Sequence, residues 1–196
     1  MRNRIRLDLY SQKEYNRGAS GAFVLLWWLL QATLFRWSPQ PMYAWRRGLL
    51  RLFGAQIGKG VKIRSSARFT YPWKVKIGDY SWVGDHAEFY SLDCIEVGGH
   101  CVISQNSYLC TGSHNYADVR FSLIVKPIRI ADGAWVASDV FIYPGVTIGE
   151  MGIAAARSTV TKDIPSNEIH AGTPASYHAQ RFAPEVKPVF IKEGIS

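Results

Sequence analysis

A repeat of six residues runs through most of this sequence and limits its fold more than any other feature. Between residues 130 and 165 every sixth residue is aliphatic, and the fifth residue of each hexad is small or aliphatic. An α-helix repeats every 3.6 residues and a single strand every two, so neither explains a period of six. Short strands joined by tight corners do explain it. The pattern therefore predicts an all-β solenoid, a parallel β-helix.

The same register continues towards the amino terminus in groups of three hexads. Since three strands complete one turn of a triangular solenoid, each group predicts one coil. The phase shifts by two residues near Val75 and again near Ile95, where we expect longer corners. Of fifteen first positions, fourteen carry large apolar side chains and one carries Ala154. These positions are Ile57, Ile63, Phe69, Ile77, Val83, Phe89, Val97, Ile103, Leu109, Ile130, Val136, Ile142, Ile148, Ala154 and Val160.

The amino-terminal third does not follow the repeat. Residues 18–35 carry no charge, and residues 42–53 place three arginines among apolar residues, as in a basic amphipathic helix. This segment caps the open end of the solenoid or lies in a membrane interface, and the two roles can coexist. In the second alternative Trp27, Trp28 and Trp37 lie at headgroup depth and the arginines contact anionic lipid. A membrane-spanning helix is a third alternative, although the apolar run is short for one.

The net charge and the cysteine content indicate which binding partners and which cellular compartment to expect. The chain has 23 Lys and Arg against 15 Asp and Glu, a net charge of +8 that favours anionic partners. A phosphate-bearing cofactor or an anionic membrane fits better than nucleic acid, because the sequence contains no zinc or RNA-binding motif. Three cysteines fit no disulfide framework, and no cleavable signal peptide is evident. We expect a cytoplasmic protein, either free or peripheral on the inner face of the membrane.

The repeat is interrupted at length once, after Leu109. Residues 111–127 leave the register, which resumes at Ile130. Loops that project from a rigid scaffold tend to carry binding or catalytic groups. This loop contains His114, whose side chain can exchange a proton near neutral pH. The loop is therefore the predicted location of the chemistry.

Several motifs in combination resemble the left-handed β-helix acyltransferases, and among them the colanic-acid-type polysaccharide acetyltransferases. The resemblance extends from about residue 17 to residue 175. It implies the left hand of the helix, acetyl-CoA as co-substrate, and a homotrimer with active sites between subunits. The hexapeptide period alone gives neither the hand nor the trimer. Besides the hexads, the motifs are Thr-Gly-Ser-His at 111–114, Asp-Gly-Ala-Trp-Val at 132–136, Val-Thr-Lys-Asp at 160–163 and Ala-Gly-Thr-Pro-Ala at 171–175.

The resemblance also assigns roles to individual residues. His114 matches the family's catalytic histidine, and a sugar hydroxyl needs such a base because an alcohol is a poor nucleophile until its proton leaves. The positions that match the coenzyme A site are Trp135, Ala156, Thr161 and Lys162. Arg157 is added to them as a further cation for the phosphates, although many relatives carry glycine there.

Acceptor contacts are expected just before the interrupted coil. Asp93 occupies a fifth position, where a small inward residue is expected, so it should lie at an irregular corner. In related sugar acetyltransferases, acidic and amide residues from this region hold acceptor hydroxyls. Glu88, Tyr90 and Asp93 are therefore the candidate acceptor-binding residues, with stabilisation of the corner as the alternative role.

We expect no metal site. A γ-type carbonic anhydrase uses the same scaffold but needs three histidines around zinc. His86, His100 and His114 are fourteen residues apart and would not share one face of a solenoid with about eighteen residues per coil.

The sequence thus predicts three parts and one reaction. Residues 1–54 form the apolar and basic helical segment, residues 55–169 the acyltransferase solenoid, and residues 170–196 a short tail. The expected reaction is transfer of acetyl from acetyl-CoA to a sugar hydroxyl of an exopolysaccharide or lipopolysaccharide unit, by direct attack in a ternary complex. A lipid-linked acceptor would explain the apolar segment. The alternatives are a soluble small acceptor (a free sugar, nucleotide sugar or serine) and an inactive membrane-associated scaffold.

Overall fold

The computed structural model describes residues 4–182. It has two α-helices, α1 (Gly21–Leu30) and α2 (Tyr43–Leu52), and α1 continues into a π-helical segment, Gln31–Phe35. Short 3-10 helices lie at Leu7–Leu9 and Pro72–Lys74. The strands are β1 (Gln56–Ile57), β2 (Lys62–Ile63), β3 (Arg68–Phe69), β4 (Val75–Ile77), β5 (Trp82–Val83), β6 (Glu88–Tyr90), β7 (Ile95–Val97), β8 (Val102–Ile103), β9 (Tyr108–Cys110), β10 (Gly112–His114), β11 (Leu123–Val125), β12 (Ile128–Ile130), β13 (Trp135–Val136), β14 (Phe141–Ile142), β15 (Thr147–Ile148), β16 (Ile153–Ala154), β17 (Thr159–Val160), β18 (Glu168–Gly172) and β19 (Ala175–Gln180).

These strands form the three faces of a triangular prism. Sheet A contains β1, β4, β7, β12 and β15, sheet B contains β2, β5, β8, β13, β16, β18 and β19, and sheet C contains β3, β6, β9, β14 and β17. The chain visits A, B and C in turn, and strands of successive coils pair in parallel. The predicted solenoid is therefore confirmed.

The hexad register is confirmed as well. Its first positions stack in three columns, one per sheet, because residue pairs such as Ile57 with Ile77 and Ile63 with Val83 are in register. Each of the fifteen side chains is at most 7% exposed. The longer corners also occur, as the 3-10 turn Pro72–Lys74 and as a bend at residues 92–93. The interior of the prism is thus filled with side chains and forms the core.

Arginines of α2 close the first coil. Within the solenoid, N–H groups of one coil donate to carbonyls of the next, as from Lys62 to Ser81. The carbonyls of the first coil have no preceding coil to donate to them, and an unpaired row of this kind is costly when it is covered. Guanidinium groups supply the donors at 2.6–2.9 Å, from Arg51 to Ile57, from Arg47 to Val61 and from Arg46 to Ile63.

Trp27 also belongs to this cap, and the expectation that it lies at headgroup depth is wrong. Its side chain is 0% exposed, and its indole Nε1 donates to the carbonyl of Phe69 at 2.8 Å. Arg46 is likewise fully buried and cannot contact lipid. By contrast, Trp28 and Trp37 are exposed, at 44% and 82%. Among the described residues, no helix has both the length and the apolar character needed to cross a bilayer.

The carboxyl end extends sheet B. Strand β18 pairs with β16 in parallel, and β19 folds back on β18 antiparallel. Residues 183–196 of the expected tail lie outside the described residues.

Candidate active site

The interrupting loop is a hairpin that leaves one edge of the prism. Strands β10 and β11 pair antiparallel, with His114 opposite Leu123 and Gly112 opposite Val125. The hairpin lies between β9 of sheet C and β12 of sheet A. Opposite residues of an antiparallel pair point to the same face, and so do residues two apart. His114 therefore shares a face of the hairpin with Leu123 and Val125.

Phe121, at the tip of the hairpin, fixes the orientation of the His114 imidazole. The carbonyl oxygen of Phe121 lies 2.9 Å from Nδ1 of His114. The Phe121 ring also stacks on the imidazole, with 4.3 Å between centroids and 7° between planes. Because a carbonyl oxygen can only accept, Nδ1 carries the proton of the neutral imidazole. The lone pair is left on Nε2, which is the atom that can accept a proton.

An amino-terminal strap, residues 4–17, packs against this hairpin. The backbone N–H of Arg6 donates to the carbonyl of Val119 at 2.8 Å. The Tyr10 ring lies 5.6 Å from the imidazole of His114 between centroids. Sequence reasoning missed both Tyr10 and Phe121, because both lie outside the repeat and outside the quoted motifs.

Asp93 lies beside the hairpin, at the predicted irregular corner. Its N–H donates a hydrogen bond to the Thr111 hydroxyl oxygen at 2.9 Å, and its carboxylate accepts from the N–H of Cys94 at 2.7 Å. It lines a cavity of about 400 Å³ between the strap and the hairpin, together with Leu123 and Val125. The other lining residues are Ser11, Gln12, Glu14, Tyr15, Asn16, Lys74, Leu92 and Ser122. The cavity is thus rich in hydroxyl, amide and carboxylate groups and lies on the hairpin face that carries His114.

Lys74 anchors the strap to the wall of this cavity. Its Nζ donates to the carbonyl of Leu92 at 2.6 Å and to the carbonyl of Asn16 at 3.0 Å. Burial lowers the pKa of Lys74, and the nearby charge of Asp93 opposes that shift.

Glu88 and Tyr90 lie on the outer face of sheet C, where each already has a neighbour. Glu88 forms an ion pair with Arg68 at 3.1 Å. Tyr90 stacks with Tyr108 at 5.9 Å, and burial raises the pKa of its hydroxyl. Neither lines the cavity that contains Asp93, so the three acceptor candidates are not brought into one pocket of a single chain.

Cys110 precedes the loop and could in principle carry an acyl group. Its thiol is buried and donates to the carbonyl of Gly112 at 3.0 Å. Burial raises the pKa of the Cys110 thiol. A neutral, buried thiol is a poor nucleophile, so Cys110 is not an activated covalent carrier.

The predicted coenzyme A positions lie on the surface of the last coils. Trp135 projects from sheet B, 42% exposed, and its Nε1 donates to the Ser104 hydroxyl at 2.9 Å. Ala156 and Arg157 form the corner between β16 and β17, and Arg157 has a positive φ of 60°. Both are exposed, as are Thr161 and Lys162, which follow β17.

One chain cannot bring all these residues together. In a triangular prism, the edge between sheets C and A, which carries His114, is opposite the outer face of sheet B, which carries Trp135. Lys162 lies at the same edge as His114 but two coils further on, about 10 Å at the usual strand spacing.

Within residues 4–182, His, Cys, Asp and Glu side chains form no group of three that could hold a metal ion.

The sequence and the fold are similar to those of known acetyltransferases. The chain is 52% identical over 169 residues to a protein of Escherichia coli strain K12 named as the colanic acid biosynthesis acetyltransferase WcaF, covering 86% of this chain and 93% of that protein. A hexapeptide-repeat acetyltransferase of Vibrio cholerae, solved with acetyl coenzyme A, has a TM-score of 0.77 at 26% identity and covers 93% of this chain and 100% of its own.

A galactoside acetyltransferase solved with coenzyme A matches at a TM-score of 0.75 and 26% identity, covering 82% of each chain. No protein-family model matches the sequence. The identity and coverage of these relatives, together with the prism and its hairpin, settle the family and its co-substrate. The chain belongs to the left-handed β-helix, hexapeptide-repeat acetyltransferases and is an acetyl-CoA-dependent acyltransferase.

Proposed function

We propose that this enzyme transfers acetyl from acetyl-CoA to a sugar hydroxyl, with His114 as the general base. The observation that carries the proposal is the bond between Nδ1 of His114 and the carbonyl of Phe121. It holds the neutral imidazole with its lone pair on Nε2, as a base requires. Proton transfer by a positioned histidine typically contributes about 10²–10⁴-fold in rate.

Direct attack accounts for the reaction without a covalent enzyme intermediate. Nε2 takes the hydroxyl proton while the acceptor oxygen forms a bond to the thioester carbonyl carbon. The carbon–sulfur bond then breaks, and the imidazolium returns the proton to the departing sulfur. The buried, neutral Cys110 thiol supports this sequence over one through an acyl-cysteine.

We propose the cavity beside the hairpin as the acceptor site. Asp93 and the polar strap residues offer hydrogen-bond partners for sugar hydroxyls, on the face that carries His114. Glu88 and Tyr90 are proposed to contact the acceptor from the outer face of sheet C. The relative named for colanic acid biosynthesis supports an acceptor in an exopolysaccharide or lipopolysaccharide unit. A small free sugar is the second candidate, supported by the galactoside O-acetyltransferase of Escherichia coli, which is 30% identical over 132 residues.

A homotrimer would complete the site. Because Trp135 and His114 lie on opposite sides of one prism, we propose that Trp135, Ala156, Arg157, Thr161 and Lys162 hold coenzyme A in a groove shared with the next subunit. The outer surfaces of the sheets support this packing. Sheet B exposes Trp82 and Trp135 in one ladder, whereas sheet A exposes the charged ladder of Lys76, Glu96 and Arg129.

The helical cap is proposed to hold the enzyme at the inner face of the membrane, close to a lipid-linked acceptor. Its outward side is apolar and lies next to the exposed Arg36. Side chains of leucine and tryptophan in such a patch favour the interface, and arginine favours anionic headgroups. The exposed apolar residues are Leu25, Leu26, Trp28, Leu29, Leu34, Trp37, Met42, Trp45 and Leu52.

Sedimentation with vesicles tests the membrane contact. The triple variant Leu25→Ser, Leu29→Ser, Trp37→Ser should lose binding to vesicles that contain phosphatidylglycerol. Tyr116→Ser, which removes an 86% exposed aromatic residue from the hairpin, should bind like the wild type. Equal sedimentation of the triple variant and the wild type would exclude this face as the membrane contact.

Release of free thiol from acetyl-CoA tests the reaction itself. The wild type, His114→Ala and the control Tyr116→Ala are compared across free sugars and lipid-linked oligosaccharides. We expect acceptor-dependent release that falls about 10²–10⁴-fold in His114→Ala and stays unchanged in the control. Release that survives the loss of His114 would place the base elsewhere. No release with any acceptor, together with no binding of coenzyme A by calorimetry, would favour an inactive scaffold.

A further inference from the structure

The backbone of Phe121 is unusual for a large side chain. Its φ is 51°, in the left-handed region that a residue with a Cβ rarely adopts. Nine non-glycine residues of the described chain have a positive φ, and the eight others all lie at corners between strands of the solenoid. Phe121 alone among these nine lies in the hairpin. Strained residues tend to persist where the strain serves a site.

The surrounding loop maintains this conformation. The N–H of Phe121 donates to the carbonyl of Asp118 at 2.8 Å, and the N–H of Asn115 donates to the carbonyl of Ser122 at 2.9 Å. The carboxylate of Asp118 accepts from the N–H of Arg120 at 3.0 Å. The tip is therefore a closed turn that presents both the carbonyl and the ring of Phe121 to His114.

We propose that Phe121 is a positioning residue for the base. Its carbonyl determines which imidazole nitrogen keeps the proton, and its ring restrains the plane of the imidazole. Both contacts also favour the imidazolium that forms on proton uptake, since a cation is attracted to an aromatic face and donates a stronger hydrogen bond. Phe121 thus acts on the transfer step and not on substrate binding. This inference rests on the proposed role of His114.

Two substitutions separate the ring from the backbone. Phe121→Gly removes the ring but readily adopts the left-handed φ, so the turn and its carbonyl are retained. Phe121→Tyr keeps an aromatic ring of the same shape. Tyr116→Ala is the matched control, because Tyr116 is an aromatic residue of the same hairpin that is 86% exposed.

Steady-state kinetics and NMR provide the readouts. Phe121→Gly should lower kcat about 10–100-fold, the range expected from loss of alignment, while the KM for acetyl-CoA changes less than about twofold. Phe121→Tyr should recover most of kcat. Imidazole ¹⁵N shifts, with the His114 signals assigned by comparison with His114→Gln, should show the Nδ1–H tautomer both in the wild type and in Phe121→Gly, because both keep the backbone carbonyl that accepts from Nδ1.

A kcat for Phe121→Gly within about twofold of the wild type would overturn the proposal. So would an Nε2–H tautomer in the wild type, or a rise in KM that accounts for the whole loss. The tautomer readout does not need turnover, so it tests the positioning role even if His114 proves not to be the base. Conversely, full activity in His114→Ala would reject the proposed function without altering the NMR result.

Discussion

Arg46 is expected to be the most important cation of the helical cap for stability. Its side chain is fully buried and donates from Nε to Ile63 at 2.6 Å, from Nη1 to Pro39 at 2.9 Å and from Nη2 to Gln40 at 2.6 Å, in each case to a carbonyl. A further bond joins Nη1 to the Ser38 hydroxyl at 2.8 Å. Burial lowers the pKa of Arg46. The hydrogen bonds to these acceptors offset the cost of that burial.

Replacement of Arg46 by methionine retains the aliphatic stem and removes the donors. The carbonyl of Ile63 then becomes a buried acceptor without a donor, which costs about 2 kcal/mol, and the two partly buried carbonyls cost about 1 kcal/mol each. The variant no longer buries a charged guanidinium, which offsets part of this cost. The free energy of unfolding should therefore fall by about 3 kcal/mol. For a chain of this size that corresponds to a fall of about 6–12 °C in Tm.

Thermal unfolding followed by circular dichroism, at one protein concentration, measures this loss. Arg51→Met is the matched control, because Arg51 also donates to first-coil carbonyls but is exposed. Water can replace its hydrogen bonds, so its loss should cost less than about 1 kcal/mol. Equal Tm values for the two variants would refute the reasoning, since burial of the acceptor would then not determine the cost.

Three further predictions concern binding, pH and thiols. Trp135→Ala should raise the Kd for coenzyme A about tenfold by calorimetry, and an unchanged Kd would remove Trp135 from the groove. The hydrogen bond from Lys76 lowers the pKa of Glu96. The stabilisation from Glu96 should therefore be full above about pH 4.3 and disappear as the pH falls through the folded pKa. Urea midpoints of wild type and Glu96→Gln should accordingly differ by a constant amount above about pH 4.3 and converge below it, and a difference that stays constant down to about pH 3 would contradict this. Of the thiols, Cys94 is exposed, whereas burial raises the pKa of Cys101. Native protein should titrate one rapid thiol per chain with Ellman's reagent, and Cys94→Ser should abolish that phase while a persisting phase would contradict the assignment.

The solenoid could be predicted from the sequence because each hexad meets the same environment. Every first position faces the same interior, so one period fixes the burial of residues as far apart as Ile57 and Val160. Even the irregular corner at Asp93 followed from its failure to match that interior. Because the same six-residue pattern recurs along the solenoid, the burial of all fifteen first positions could be predicted together.

The cap and the tip of the hairpin could not be predicted in the same way. The basic amphipathic pattern of α2 indicates that its arginines need acceptors but does not distinguish lipid phosphates from backbone carbonyls. The unpaired carbonyls of the first coil become apparent only in the folded structure. They accept hydrogen bonds from Arg46, Arg47 and Arg51. Similarly, no motif indicates that Phe121 lies against His114, because the contact depends on the turn that reverses the hairpin.

The regularity of the prism explains why the groups that react must come from the hairpin, the strap and a neighbouring subunit, and not from the interior of the solenoid. A solenoid packed with fifteen stacked side chains has no room for a substrate in its interior. Its three outer faces are flat, and each coil repeats the last, so no face alone can enclose a reacting group. The hairpin supplies His114, the strap supplies a wall beside Asp93, and Trp135 lies across the prism from both. If Trp135 takes part in the same reaction as His114, each hairpin must face sheet B of another subunit. At acetyl-CoA concentrations far below the wild-type KM, a mixture of His114→Ala and Trp135→Ala chains should then be more active than the two variants assayed separately, because some mixed trimers unite an intact His114 with an intact Trp135 of the next subunit. Absence of this complementation, with subunit exchange confirmed by mass spectrometry, would contradict a shared site.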